Sequence, residues 1–191
     1  ADGDAEGLFL AGDGRVAVSF ERRHRLWAYP LEGAGAPRPL ASPEAAFPLN
    51  DGMEGIAAAP GGWRVAGESG GVWDCAPGGC REVTASPAEP VPDSDYRITG
   101  MDRDPGGEGF WVVERRFRPP VDVRGRIRRM AADGTFGPVL VELSLPSTVD
   151  NFEGIAAVAR GEGTRLYILS DDNGSERQRT LLLAFDVRPA R

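Results

Sequence analysis

The sequence contains no lysine: all 22 basic residues are arginine, set against 29 acidic ones for a formal net charge of −7. Such a balance excludes the clustered positive footprint that a nucleic-acid backbone requires. There is one histidine, His24, and there are two cysteines, Cys75 and Cys80, too few to build a Cys/His zinc cluster. With a single histidine and no Gly-x-Ser-x-Gly elbow, no Ser-His-Asp set assembles, and no lysine-bearing phosphate loop is present. No apolar run approaches the roughly 18 residues of a membrane span. Arginine to the exclusion of lysine, beside so much Ala, Gly and Pro, is the mark of a GC-rich genome. The positions of the arginines therefore carry the information, and their number does not.

What is plentiful is punctuation. Gly 26 and Pro 16, in a chain of 191 residues that is 41% hydrophobic, suit many short strands joined by tight turns around one core and argue against long helices. Cys75 and Cys80 enclose Ala76-Pro77-Gly78-Gly79 between two strand-like runs. That is a hairpin turn across which a disulfide fits, free thiols being the alternative. A disulfide points to an exported protein, periplasmic or secreted, whose signal peptide has been removed or lies outside this sequence.

A pattern recurs about every fifty residues. Asp4-Ala5-Glu6-Gly7 is followed by Ser19-Phe20-Glu21, and Gly52-Met53-Glu54-Gly55 by Ala66-Gly67-Glu68. Ile98-Thr99-Gly100 is followed by Val113-Glu114, and Asn151-Phe152-Glu153-Gly154 by Ser170-Asp171-Asp172-Asn173. Each unit reads as a strand, a Gly-rich turn and a second strand. Third strands are expected at 25–31, 71–75, 124–131 and 180–187, and fourth strands at 80–84 and 138–145. Four antiparallel strands per repeat at this period predict an all-β chain of four β-propeller blades, at 4–49, 50–94, 95–148 and 149–191. The last repeat stops after its third strand and the first begins on its first. The closing strand is thus missing, and the expectation is a larger propeller of about six blades, with one or more before Ala1.

In an antiparallel hairpin the start of one strand lies beside the end of its partner. The pattern therefore pairs Glu6 with Glu21, Glu54 with Glu68, and Glu153 with Asp171 and Asp172, while Thr99 leaves Glu114 alone in the third repeat. The expectation is a ring of acids on one propeller face. Crowded carboxylates repel and call for compensation. Calcium suits hard oxygen ligands, which makes Glu6, Glu54, Glu153, Asp171, Asp172 and Asn173 the candidate metal ligands. The arginines that follow the acids, Arg22, Arg115 and Arg179, are candidates to neutralise the ring or to grip an anionic substrate. Glu21 and Glu68 are the candidate general bases. Against these stands a structural role, in which each acid bonds backbone N–H groups at a strand entrance. His24 reads as a surface or hydrogen-bonded residue, and Trp27, Tyr29, Trp63, Trp73 and Trp111 as packing between blades.

The run from Asn151-Phe152-Glu153-Gly154 through Leu169-Ser170-Asp171-Asp172-Asn173 to Gln178-Arg179-Thr180 resembles the C-terminal hallmark of the phytase-like family, "esterase-like activity of phytase". Asp4-Ala5-Glu6-Gly7-Leu8, Ser19-Phe20-Glu21-Arg22 and Asn50-Asp51-Gly52-Met53-Glu54 fit its earlier repeats. The resemblance implies an exported bacterial propeller that hydrolyses an ester or phosphoester, distantly analogous to calcium-dependent propeller phytases. Those enzymes surround phosphate with lysine as well as arginine, and the lack of lysine here argues against phytate. The expected function is a metal-dependent ester or phosphoester hydrolase acting on a small anionic or ester substrate. The alternative is a non-catalytic, ligand- or partner-binding propeller with structural calcium.

Overall fold

The computed structural model describes residues 4–33 and 35–188, and the last three residues of the fourth expected blade lie outside them. The described residues are all-β, with fifteen strands in four antiparallel sheets. Blade 1 is β1 (Ala5–Ala11), β2 (Arg15–Phe20), β3 (Arg25–Pro30) and β4 (Arg38–Leu40). Blade 2 is β5 (Gly55–Ala59), β6 (Gly62–Ala66), β7 (Val72–Ala76) and β8 (Gly79–Thr84). Blade 3 is β9 (Arg97–Arg103), β10 (Phe110–Arg118), β11 (Asp122–Met130) and β12 (Phe136–Ser144). Blade 4 has three described strands, β13 (Phe152–Arg160), β14 (Gly163–Ser170) and β15 (Leu182–Val187). Every sheet runs in chain order, each strand pairing with the next, which is the meander of a propeller blade. The fold is a β-propeller with four blades in this chain.

Two compact units divide the chain, Ala1–Pro90 with blades 1 and 2, and Val91–Arg191 with blades 3 and 4. Side chains alternate across each pleat, so every other residue of a strand faces the neighbouring blade. In the first unit Phe9, Ala17 and Leu26 of blade 1 pack on Ile56, Trp63, Val65 and Trp73 of blade 2. In the second, Trp111, Val113 and Ile127 of blade 3 pack on Phe152, Leu166 and Ile168 of blade 4. Cys75 and Cys80 are disulfide-bonded and face each other in register across β7 and β8. Strand β4 was not anticipated from the sequence. It is three residues long and contains Pro39, so it lacks both the alternation and the donor row that mark a strand.

The recurring Glu-Gly pair has a structural cause. Register slips between Ala5 and Leu8, between Ile98 and Gly100, and between Phe152 and Gly154, so that Glu6-Gly7, Thr99 and Glu153 sit at β-bulges. A bulge re-aims the side chain it carries. The glycine beside it meets the next blade: a Cβ at Gly7 would lie 2.5 Å from the backbone oxygen of Glu54, and one at Gly100 would lie 2.5 Å from that of Glu153. No side chain fits at either position, so blade 1 seats on blade 2, and blade 3 on blade 4, only because this residue is glycine. Gly7→Ala is expected to destabilise the first unit by about 1–3 kcal/mol, the usual cost of overpacking. Gly12→Ala, whose Cβ would meet nothing within 4 Å, serves as control. Urea unfolding of both variants checks this, and equal midpoints would refute the close-approach account.

Candidate metal centre

In three blades the acid after the second strand is fixed by the same backbone bond. The Glu21 N–H donates to the Asp4 carbonyl at 2.9 Å, that of Glu68 to Gly52 at 3.0 Å, and that of Asp171 to Asn151 at 3.0 Å. The donor follows the end of strand two, and the acceptors Asp4, Gly52 and Asn151 lie two residues before Glu6, Glu54 and Glu153. The hairpin thus brings its two acids to one edge of the blade. In blade 3 the corresponding pair is Arg115 opposite Arg97, with Glu114 opposite Ile98 one step earlier. The position matching Glu21 is therefore held by Arg115 and not by Glu114, because the acid of the third repeat stands one residue earlier on its strand, at the place of Phe20 and Ser170.

Blade packing in the first unit then gathers these acids. Glu21, Glu54 and Glu68 are all buried, and each offers a carboxylate oxygen within 4.8 Å of the others. Asp4, Glu6 and Glu21 form a second such group, with Glu21 common to both. Gly52 leaves room for this, since a Cβ there would lie 2.8 Å from Glu21 Cγ. Burial pushes the Glu21 carboxyl above its ordinary value, and the negative charges of Asp4 and Asp51 add to the rise. His24 and a hydrogen bond with Glu54 act in the opposite sense without cancelling it.

Arg22 stands at the rim with φ 61°, a left-handed backbone that a side chain seldom adopts. Its Nη2 donates to Asp4 Oδ2 at 2.9 Å, with both side chains about half exposed. His24 Nε2 lies 3.0 Å from the Pro48 carbonyl, which can only accept, so this nitrogen carries the proton. The ring packs 5.3 Å from Phe47, as a hydrogen-bonded packing residue.

The second unit arranges its acids differently. Glu114 accepts two bonds from Arg126, at 2.8 and 3.0 Å, and two from Arg128, both at 2.7 Å. Glu153 accepts a bond from Asn151 Nδ2. Asp171 Oδ1 caps the Asn173 N–H at 3.0 Å. Asp172 caps the Gly174 N–H at 2.8 Å and accepts from the Thr180 hydroxyl at 3.0 Å. Asn173, at φ 51°, donates through Nδ2 to Gln178 at 3.3 Å. Asp171, Asp172 and Asn173 thus stabilise the turn that leads into β15. Arg179 lies with its Nε 3.5 Å from Asp150. Among the described residues, both groups of three acids with ligand spacing lie in the first unit.

Of the residues singled out in the sequence, Glu6, Glu21, Glu54 and Glu68 come together, with Arg22 beside them. Asp4 was missed, although it stands two residues before Glu6 as Asn151 does before Glu153.

Residues 1–174 match the family described as "Phytase-like: Esterase-like activity of phytase". The chain belongs to the phytase-like family. No curated protein matches it. Among solved structures it is similar to one titled "YCF48 bound to D1 peptide", at 9% identity and a TM-score of 0.37, over 91% of this chain and 80% of that one. No helix of the described residues is long and apolar enough to cross a membrane. For this phytase-like chain the acids of the first unit are the candidate site.

Proposed function

We propose that this phytase-like propeller is a metal-dependent hydrolase of a small anionic ester, a phosphoester or a related carboxylic ester. The observation that carries the reading is the buried Glu21–Glu54–Glu68 group with carboxylate oxygens within 4.8 Å of one another. Glu6 and Asp4 extend the same oxygen surface. Five acidic groups with no sulfur donor among them suit a hard cation, and calcium is the ion of choice. When bound, such an ion polarises an ester oxygen and lowers the pKa of a coordinated water.

The chain's own residues supply the rest. Glu54 hydrogen-bonds Glu21, so the two carboxyl groups are held side by side for a cation to bridge. Glu68, buried at the end of strand two, is positioned to accept a proton from an attacking water. Arg22 leaves Asp4 for an anionic substrate oxygen, a bidentate partner that arginine suits better than lysine does. The Cys75–Cys80 disulfide supports a periplasmic or secreted setting.

Calorimetric titration of metal-stripped protein with calcium, paired with turnover of a phosphomonoester, a phosphodiester and a carboxylic ester, tests the reading. Micromolar binding with calcium-dependent turnover is the expected result. Binding without turnover on any of the three makes the ion structural and the protein a binding propeller. Absence of binding removes the metal centre.

A further inference from the structure

The loop from β14 to β15 opens on a tight turn, Asp172 to Ser175, closed by the Ser175 N–H donating to the Asp172 carbonyl at 2.7 Å. Its two central residues, Asn173 at φ 51° and Gly174 at φ 63°, are both left-handed. That is the pattern of a type I′ turn and the reason an Asn-Gly pair occupies it. The same pair sets the Asn173 side-chain amide next to a backbone nitrogen that no side chain shields. Both residues are exposed, and a Cβ at Gly174 would meet nothing within 4 Å, so the Gly174 nitrogen has open space around it. The sequence has two other asparagines, and neither shares this setting. Asn151 is 4% exposed, bonds Glu153 through Nδ2 and precedes Phe152. Asn50 precedes Asp51, whose side chain crowds the peptide nitrogen between them.

We propose that Asn173 is a site of spontaneous deamidation, with the Gly174 backbone nitrogen as the nucleophile. This nitrogen attacks Cγ of Asn173, and the new C–N bond closes a cyclic imide. The Cγ–Nδ2 bond breaks, and Nδ2 leaves as ammonia with the proton that the Gly174 nitrogen gives up. Water then opens the ring at either carbonyl and leaves aspartate or isoaspartate. No electrons are exchanged, so water is the sole co-reactant. Either product adds a carboxylate beside Asp171 and Asp172. Aspartate keeps the turn, because it tolerates the left-handed backbone as asparagine does. Isoaspartate inserts a methylene into the main chain, and the Ser175–Asp172 closure is lost.

The fold holds this reaction back. The Gly174 N–H donates to Asp172 Oδ1 at 2.8 Å, and the Thr180 hydroxyl steadies the other oxygen of that carboxylate at 3.0 Å. Attack requires the nitrogen to turn away from Asp172 and towards Cγ, so the rate follows the population of the opened turn. Asp172 is the restraint, and Thr180 acts through it. The site belongs to the second unit and is independent of the metal centre in the first.

Peptide mapping by mass spectrometry with isoaspartate detection, on the 191-residue chain kept in warm, mildly alkaline buffer, tests the proposal. Conversion is expected at Asn173 and not at Asn50 or Asn151. Asp172→Ala quickens it about 5- to 10-fold, the gain in open turn that loss of one hydrogen bond brings. Thr180→Val, which takes away only the hydroxyl that steadies Asp172, quickens it less and serves where Asp172→Ala disturbs folding. A faster conversion in either variant establishes the restraint. Rates equal to wild type in both variants overturn it. Asn173 left intact in all three proteins, or conversion at Asn50 or Asn151 that keeps pace with it, overturns the site itself.

Discussion

Glu21→Gln is expected to weaken calcium binding at least tenfold while raising the stability of the calcium-free protein at neutral pH. The two effects have one cause. Glu21 is 7% exposed, and its carboxyl titrates above the ordinary value of 4.5 because burial and the charges of Asp4 and Asp51 oppose ionisation. A raised folded-state pKa contributes stability that is fully present below the unfolded value and is lost as pH rises through the folded one. At neutral pH the calcium-free protein therefore carries the cost of a crowded charge, and glutamine removes it. Calcium removes it as well, by supplying the opposing charge, and binding to the folded state alone adds stability by mass action. Removing one charged ligand lowers the affinity by an order of magnitude or more. Thermal unfolding of wild type and variant, with chelator and with excess calcium, separates these contributions. A variant that is less stable without calcium, and unchanged by adding it, would assign Glu21 to a backbone-bonding role and remove the metal centre.

The fold was legible in the sequence because its cause is local and repeated. Glycine turns, apolar runs and a Glu-Gly step every fifty residues fixed four blades and nearly every strand. The reason for the Glu-Gly step was not legible, since it lies in a bulge and in a carbonyl that arrives from another blade. The site was legible in part for the same reason. Hairpin geometry correctly joined Glu6 to Glu21 and Glu54 to Glu68, but it treated all four repeats alike. Register then decided the differences. In blade 3 the acid stands one residue earlier than Glu21 does, so Glu114 takes the place of Phe20 and falls on the face of the β11 arginines. In blade 4 the acids Asp171 and Asp172 come before Gly174 and Thr180, and a tight turn uses their oxygens first. An Asp-Asp-Asn run offers the same donors to a cation and to its own backbone, and composition does not distinguish the two.

Glu114→Ala is expected to cost about 3–5 kcal/mol, the largest effect of any single substitution in the second unit. Breaking a buried ion pair by removing one partner leaves the other charge uncompensated, and here two guanidiniums lose their partner together. Glu114 is 3% exposed and lies between Arg126 and Arg128, whose side chains are each 19% exposed. Neither arginine has an easy route to water, because Arg126 stacks 3.7 Å from the Tyr96 ring centre and Arg128 stacks 4.0 Å from that of Phe136. Burial alone would raise the Glu114 carboxyl, but the bonds and charges of Arg126 and Arg128 outweigh it and hold the group below 4.5. A depressed folded-state pKa contributes stability that is present above the unfolded value and is lost as pH falls through the folded one. Glu114 therefore loses its contribution in acid, whereas the calcium-free Glu21 cluster loses its own as pH rises. Urea midpoints of wild type and Glu114→Gln, followed from pH 7 down to pH 3, read this directly. The wild type should lose stability below about pH 4.5 and the variant should lose less, so that the gap between them closes in acid. A gap that stays constant with pH would mean that the carboxyl's shape, and not its charge, holds Arg126 and Arg128 in place.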